Sequence, residues 1–390
     1  MTNATAAILC LLITANAGAD VLQVGPGKHY ATPCMAIAEA KPGDRIEIDG
    51  SGVYQGDVCA WKTDDLTLAG VNGRPKLEAS GRAAQGRAIW VISGNNTVIE
   101  GIEFTGARAR SNNGAGILQV GANLTVRHCY FHDNEDGILT AENSSSKILV
   151  EYSEFAENGY PDGQSHNIYI GHIGEFTLRF SYSHDARYGH LVKSRAERNF
   201  ILYNRLTGEI GTSSYELDLP NGGLSYVIGN LIQQGALSEN MGIVAYGEER
   251  LTNLVNNLYF VNNTVVNHRW NGVFIKVDPL APPPLVQNNV FTGAGEVLDP
   301  PIGKLSHNIV RMATFVDAAN FDYRPSASSP ARDFGVDPGS ANGFSLRPVY
   351  QYVHPTCYEK RTTTGAAMDA GAFEFRGGGG ASPDCARHGK

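Results

Sequence analysis

Short runs of alternating apolar and polar residues recur along most of the chain, with a period of about twenty-six residues. One series begins at Ile99, Val126, Val150, Leu178, Ile201, Val227, Phe260 and Leu285. A second, beginning at Gly116, Gly137, Asn167, His190, Tyr215, Gly242 and Gly272, falls between members of the first. Alternation carries the two-residue period of a strand rather than the 3.6-residue period of a helix. Asn, Gly and Asp separate the runs, as residues that tolerate tight turns do. Several short strands per repeat predict an all-β fold, a single-stranded right-handed parallel β-helix whose turns stack at about 4.8 Å. Asn204, Asn230, Asn263 and Asn289 recur at one phase of the repeat, which predicts an inward ladder that bonds the bending backbone.

The pattern breaks at both ends. Residues 33–40 form a short amphipathic run after Pro33, predicting a helix that caps the first turn. From about residue 310 the repeat is lost and Pro and Gly become frequent. At the start, an apolar run from Ala6 to Ala15 precedes the small residues Ala17, Gly18 and Ala19, the pattern of a signal peptide. The predicted division is a signal peptide at 1–19, a capped β-helix at 20–309, a C-terminal cap and extension at 310–376, and a flexible tail at 377–390. Export predicts a secreted or periplasmic protein in which disulfides form. Cys34 with Cys59 and Cys357 with Cys385 are the candidate pairs; Cys10 lies in the leader, and Cys129, inside a strand-like run, is expected as a buried thiol. No later segment approaches the roughly 18 apolar residues of a membrane span, so no membrane partner is expected.

Composition narrows the function. The chain is 42% hydrophobic and 18% charged, which excludes intrinsic disorder. Lys+Arg 31 against Asp+Glu 39 gives a net charge of −8, so a nucleic-acid partner has no electrostatic support. An anionic polysaccharide remains open, because its binding depends on a local cluster.

Strand alternation predicts such a cluster. With Ile168 and Ile170 inward, Asn167 and Tyr169 face out; with Leu217 and Leu219 inward, Glu216 and Asp218 face out. Burying Lys193 and Arg195 would carry a prohibitive desolvation cost, so Val192 faces the core and the two cations face solvent. Tyr169 and Lys193 are 24 residues apart and Lys193 and Asp218 are 25 apart, one turn each. Tyr169, Lys193, Arg195, Glu216 and Asp218 are thus expected on one patch, with His166 and His190 at its edge. The plain alternative is a ladder of surface ion pairs, which contributes little.

Lys193-Ser194, Asn199, Asn204-Arg205-Leu206 and Leu219-Pro220-Asn221-Gly222 together resemble the chondroitinase B and alginate lyase family of polysaccharide lyases, within the broader group of secreted pectin-lyase-like β-helices. By that resemblance Lys193 matches the catalytic base. Pro220 or Asp218 stands where the family carries its arginine, and Arg195 could supply a guanidinium from another strand.

The expected activity is β-elimination from a uronic-acid-containing glycan. Such chemistry needs a group to neutralise the carboxylate, a base for the C5 proton and an acid for the leaving oxygen. Arg195 fits the first role, Lys193 the second, and Tyr169 or His190 the third. The alternatives are a glycoside hydrolase using Glu216 and Asp218 as paired carboxylates, a uronate epimerase, and a non-catalytic glycan-binding solenoid. The residues fix no cofactor; calcium is one candidate, held by Glu216 and Asp218 with oxygens from Asn167 and Asn221. The protein is expected as a monomer. The substrate groove is expected to run from Tyr169 towards Tyr246, walled by residues 157–164 and continued by Val244, Phe274 and Lys276.

Overall fold

The computed structural model describes residues 18–377. The leader through Ala17, the tail from residue 378 and Cys385 lie outside the described residues. Three long parallel sheets of 12, 10 and 11 strands run side by side, and each successive strand in a sheet comes from the next turn of the chain. The chain visits the sheets in rotation, which is a single-stranded right-handed parallel β-helix.

Its interior is a continuous apolar column. Ile99, Val126, Val150, Leu178, Ile201, Val227, Phe260 and Val286 stack turn upon turn with no solvent exposure to speak of. Phe104, Phe131 and Phe155 lie almost parallel at ring separations of 4.8 and 4.9 Å. Each ring fills the space above the previous one, because the strand spacing nearly matches the thickness of offset aromatic stacking.

The tight corner between the 12-stranded and 11-stranded sheets explains the asparagines. Tyr203, Gly229, Asn262 and Asn288 all adopt left-handed backbone there, with φ of 56, 70, 53 and 57°. The next residue is always the ladder asparagine. Asn204 N–H donates to Asn230 Oδ1 at 2.9 Å, Asn230 N–H to Asn263 Oδ1 at 2.9 Å, and Asn263 N–H to Asn289 Oδ1 at 2.8 Å. Each side-chain amide also donates to a carbonyl of the preceding turn, such as Asn230 Nδ2 to Ile201 O at 2.8 Å. The ladder satisfies backbone groups that a sharp corner would leave unpaired in a dry interior.

At the N-terminal end, the helix Pro33–Glu39 lays Ala36 and Ile37 against the first turns. Cys34 and Cys59 form a disulfide beside it, and Cys129 is a buried free thiol. The solenoid's last strand is Ile309–Val310. The chain beyond it folds back along the solenoid's flank. Leu346, Tyr350 and Tyr358 pack on Phe180, Tyr203 and Tyr226, and Tyr323, Tyr352 and Phe373 pack on Leu231 and Val266. Two of the three faces are thereby partly covered. The 10-stranded sheet carries the remaining candidate chemistry.

Candidate functional site

The outward column of the 10-stranded sheet can be followed strand by strand. It reads Ala60, Val91, Leu118, Leu139, Tyr169, Lys193, Asp218, Ala245, Lys276, Asp299. The first half is apolar and the second half polar or small, with Tyr169 and Lys193 at the junction. A groove of about 620 Å³ runs along the apolar half, lined by Arg87, Leu118, Leu139, His166, Tyr169 and Asp136 among others, and ends at Lys193, Arg195 and Glu249.

Lys193 and Arg195 leave the same side of one strand and its continuation, while Leu191 and Val192 are both in the core. Lys193 Nζ lies 3.2 Å from Asp218 Oδ2 and donates to Glu249 Oε1 at 2.7 Å. Arg195 is held at all three nitrogens. Nε donates to the Tyr169 hydroxyl at 2.9 Å, one terminal nitrogen to Asn221 Oδ1 at 2.6 Å, and the other to Glu249 Oε2 at 2.6 Å. The guanidinium also lies over the Tyr169 ring. With its oxygen accepting from Arg195, the Tyr169 hydroxyl keeps its own proton for another acceptor.

Behind these groups stands a stack of rings. His166 lies parallel to Tyr169 at 5.5 Å and to His190 at 4.7 Å. His190 N–H donates to His166 Nδ1 at 3.0 Å, and Tyr215 N–H donates to His190 Nδ1 at 3.1 Å. Each Nδ1 is therefore an acceptor, which puts the proton on Nε2 in both neutral rings. His190 Nε2 faces Asp218 Oδ2 at 3.4 Å. The stack needs Gly189, whose φ is +70° and where a Cβ would fall 1.9 Å from Ser165 O.

Burial sets the charges. It pushes Asp218 up to about 6, an effect Lys193 only partly offsets. Burial, then the charge of Lys193, pushes His190 down to about 3; burial, then the neighbouring His190, Lys193 and Arg195, lowers His166 well below its usual range. Burial also raises Glu249, but hydrogen bonds and charge from Lys193 and Arg195 outweigh it and hold that carboxyl below its ordinary value. At neutral pH the pocket end thus holds two cations, the carboxylates of Glu249 and Asp218, and two neutral imidazoles.

Several expected positions are corrected. Glu216 does not face out; it is fully buried, accepts from the Ser213 and Ser238 hydroxyls, and is raised well above the usual range by desolvation. The strand proper begins only at Leu217, so alternation does not extend back to Glu216. Glu216 and Asp218 therefore share no partner and form neither a calcium-holding pair nor a hydrolase pair. Asn167 is likewise buried; its amide donates to Phe155 O and His184 O as part of a second interior ladder with Asn134 and Asn158. Tyr246 is wholly buried, stacking in register with Leu219, and its hydroxyl donates to Gly223 O at 2.6 Å. Val244 and Phe274 are also core residues. Lys276 does face out, but it pairs with Glu248 and lies beyond the groove's closed end. Asn221 holds Arg195 and the Arg250 carbonyl rather than lining the groove. The groove runs from Tyr169 towards the N-terminal turns, opposite to the expected direction.

Glu249 is the residue that sequence reasoning missed. It lies between the strands Gly242–Tyr246 and Asn257–Val261, where no strand register fixes its place. The signal available was the Glu248-Glu249-Arg250 cluster in an unusually long gap between repeats. Among the described residues, no group of three or more His, Cys, Asp or Glu side chains could hold a metal ion.

Residues 51–212 match the family described as the right handed beta helix region. Among solved structures, the chain is similar to the crystal structure of pectate lyase Pel9A, at 15% identity and a TM-score of 0.57, covering 92% of this chain and 97% of that one. A second structure, Geobacillus virus E2 ORF18, aligns at 12% identity and a TM-score of 0.35 over 71% of this chain and 56% of that one. No curated protein matches the chain. The pectate lyase likeness concerns the fold.

Proposed function

We propose that the protein is an exported polysaccharide lyase that cleaves a uronic-acid-containing glycan by β-elimination. The observation that carries this reading is the convergence of Lys193, Arg195 and the Tyr169 hydroxyl at the end of a surface groove with a carboxylate held between the two cations. Arg195 neutralises the uronate carboxylate, which acidifies the C5 proton. Lys193, once it has given up to solvent the proton it carries in the free protein, takes the C5 proton while the C4–O bond breaks, and a C4–C5 double bond forms. Tyr169 returns a proton to the leaving oxygen. His190 is the weaker candidate for this last role, because both its ring nitrogens face protein partners. The disulfide Cys34–Cys59 supports export; among the described residues no helix is long and apolar enough to cross a membrane.

The test is incubation with uronate polymers and detection of unsaturated ends by ultraviolet absorbance. Lys193→Ala is expected to lower that rate by at least about a hundredfold, in line with loss of a general base. Saturated products alone would sink the lyase reading.

A glycoside hydrolase is favoured by one observation, the opposite shifts of Asp218 and Glu249 around a shared lysine. Against it, Asp218 is buried behind Lys193 and does not line the groove. Retained hydrolysis of a neutral glycan in Lys193→Ala, lost in Asp218→Asn, would reverse the preference.

A further inference from the structure

The two cations at the groove end differ in construction from the anion between them. Lys193 and Arg195 are built in, with side chains 9% and 20% exposed, whereas that of Glu249 is 45% exposed. The main chain around Glu249 is tied down. Its N–H donates to Pro220 O at 2.9 Å, Gly247 N–H donates to Leu219 O at 2.9 Å, and Asn221 Nδ2 donates to Arg250 O at 3.3 Å. The carboxylate itself hangs on a rotatable stem and is bonded to the two cations. Its oxygens are divided between them, one on Lys193 and one on Arg195, which is the contact a single flat carboxylate of a ligand would make.

We propose that Glu249 is a displaceable internal carboxylate that occupies, in the free protein, the place of a sugar carboxylate and thereby selects charged sugars over neutral ones. The inference rests on the uronate reading of this site. A uronate entering along the groove replaces one carboxylate by another, so both cations keep an anionic partner throughout. A neutral sugar offers no charge to exchange, and displacing Glu249 for it would leave Arg195 without its carboxylate and Lys193 with Asp218 alone. A half-exposed ion pair is weakly held, so rotation of the Glu249 side chain suffices to open the site without moving the anchored main chain.

The experiment is calorimetric titration of the parent protein and Glu249→Gln with trisaccharides of galacturonate, mannuronate and glucuronate, and with neutral galactose and mannose counterparts. Removing the competing charge is expected to tighten at least one uronide by about tenfold and to steepen its salt dependence, while the neutral sugars stay unchanged. Glu249→Asp, too short to bridge both cations, is expected to fall between the two; matching circular dichroism spectra establish that each variant is folded. If no uronide binds Glu249→Gln more tightly than the parent, through equal affinity, weaker affinity or no binding at all, the proposal is overturned. Tightened binding without unsaturated products would keep this inference and remove the lyase reading; unsaturated products with unchanged binding would do the reverse.

Discussion

Asp218 shows how a single residue couples the site to stability. Its carboxyl is buried beside one lysine and one neutral histidine, and desolvation lifts it from an unfolded value near 3.8 to about 6. A folded value above the unfolded one means the folded state binds the extra proton between those limits. The contribution is fully present below about 3.8 and is lost as pH rises through about 6. Asp218→Asn should therefore gain melting temperature relative to the parent as pH is raised from 4 to 7, and the difference should level off above that. A difference independent of pH would show that Asp218 is not titrating in this window. His190, lowered to about 3, acts with the opposite sign: its contribution is present above about 6.5 and fades as pH falls towards 3. The parent's own pH profile adds these to the contributions of other shifted groups, Glu216, His166 and His184 among them, which is why the variant difference is the cleaner measurement.

Among the elements, the corner between the 12-stranded and 11-stranded sheets repeats one solution turn after turn. Asn230→Ala would remove the acceptor of Asn204 N–H and the donor to Ile201 O, both buried. Two orphaned backbone groups should cost on the order of 3 kcal/mol in denaturant unfolding; a loss under about 1 kcal/mol would mean that water enters the corner. This ladder was legible in the sequence because the asparagines keep one phase against the apolar runs. So was the Tyr169–Lys193–Asp218 column, because every member lies within a regular strand. The reading failed where the strand ended. Glu216 precedes its strand and turns inward, and Tyr246 was assigned one position off, since the outward partner of Asp218 is Ala245. A shift of one residue reverses a side chain's face. Successive outward residues are 24, 25, 27 and 31 positions apart from Tyr169 to Lys276, so parity cannot be carried from turn to turn by counting. Glu249 belongs to no strand, and its contact with Lys193 depends on how the segment between two strands folds over the sheet.

For the whole molecule, stacking makes each turn depend mainly on its neighbours. The Cys34–Cys59 bridge spans 25 residues at one end of the stack. In the chain-entropy picture it stabilises by about 3 kcal/mol. Reduction should therefore raise amide hydrogen exchange in the first turns while leaving the strands around Lys193 protected; equal loss everywhere would mean the solenoid unfolds as one unit. The same neighbour-only architecture separates two properties of the groove. Its floor gains one side chain per turn, from Leu118 through Leu139 to Tyr169, whereas Lys193 and Arg195 come from the adjoining turn on the other side of that junction. Copying or deleting a turn on the apolar side would lengthen or shorten the floor by about 4.8 Å and leave Lys193, Arg195 and Asp218 in their present relation. Reach and reactivity are thus inherited from different stretches of gene, and one can be retuned by duplication while the other is held fixed.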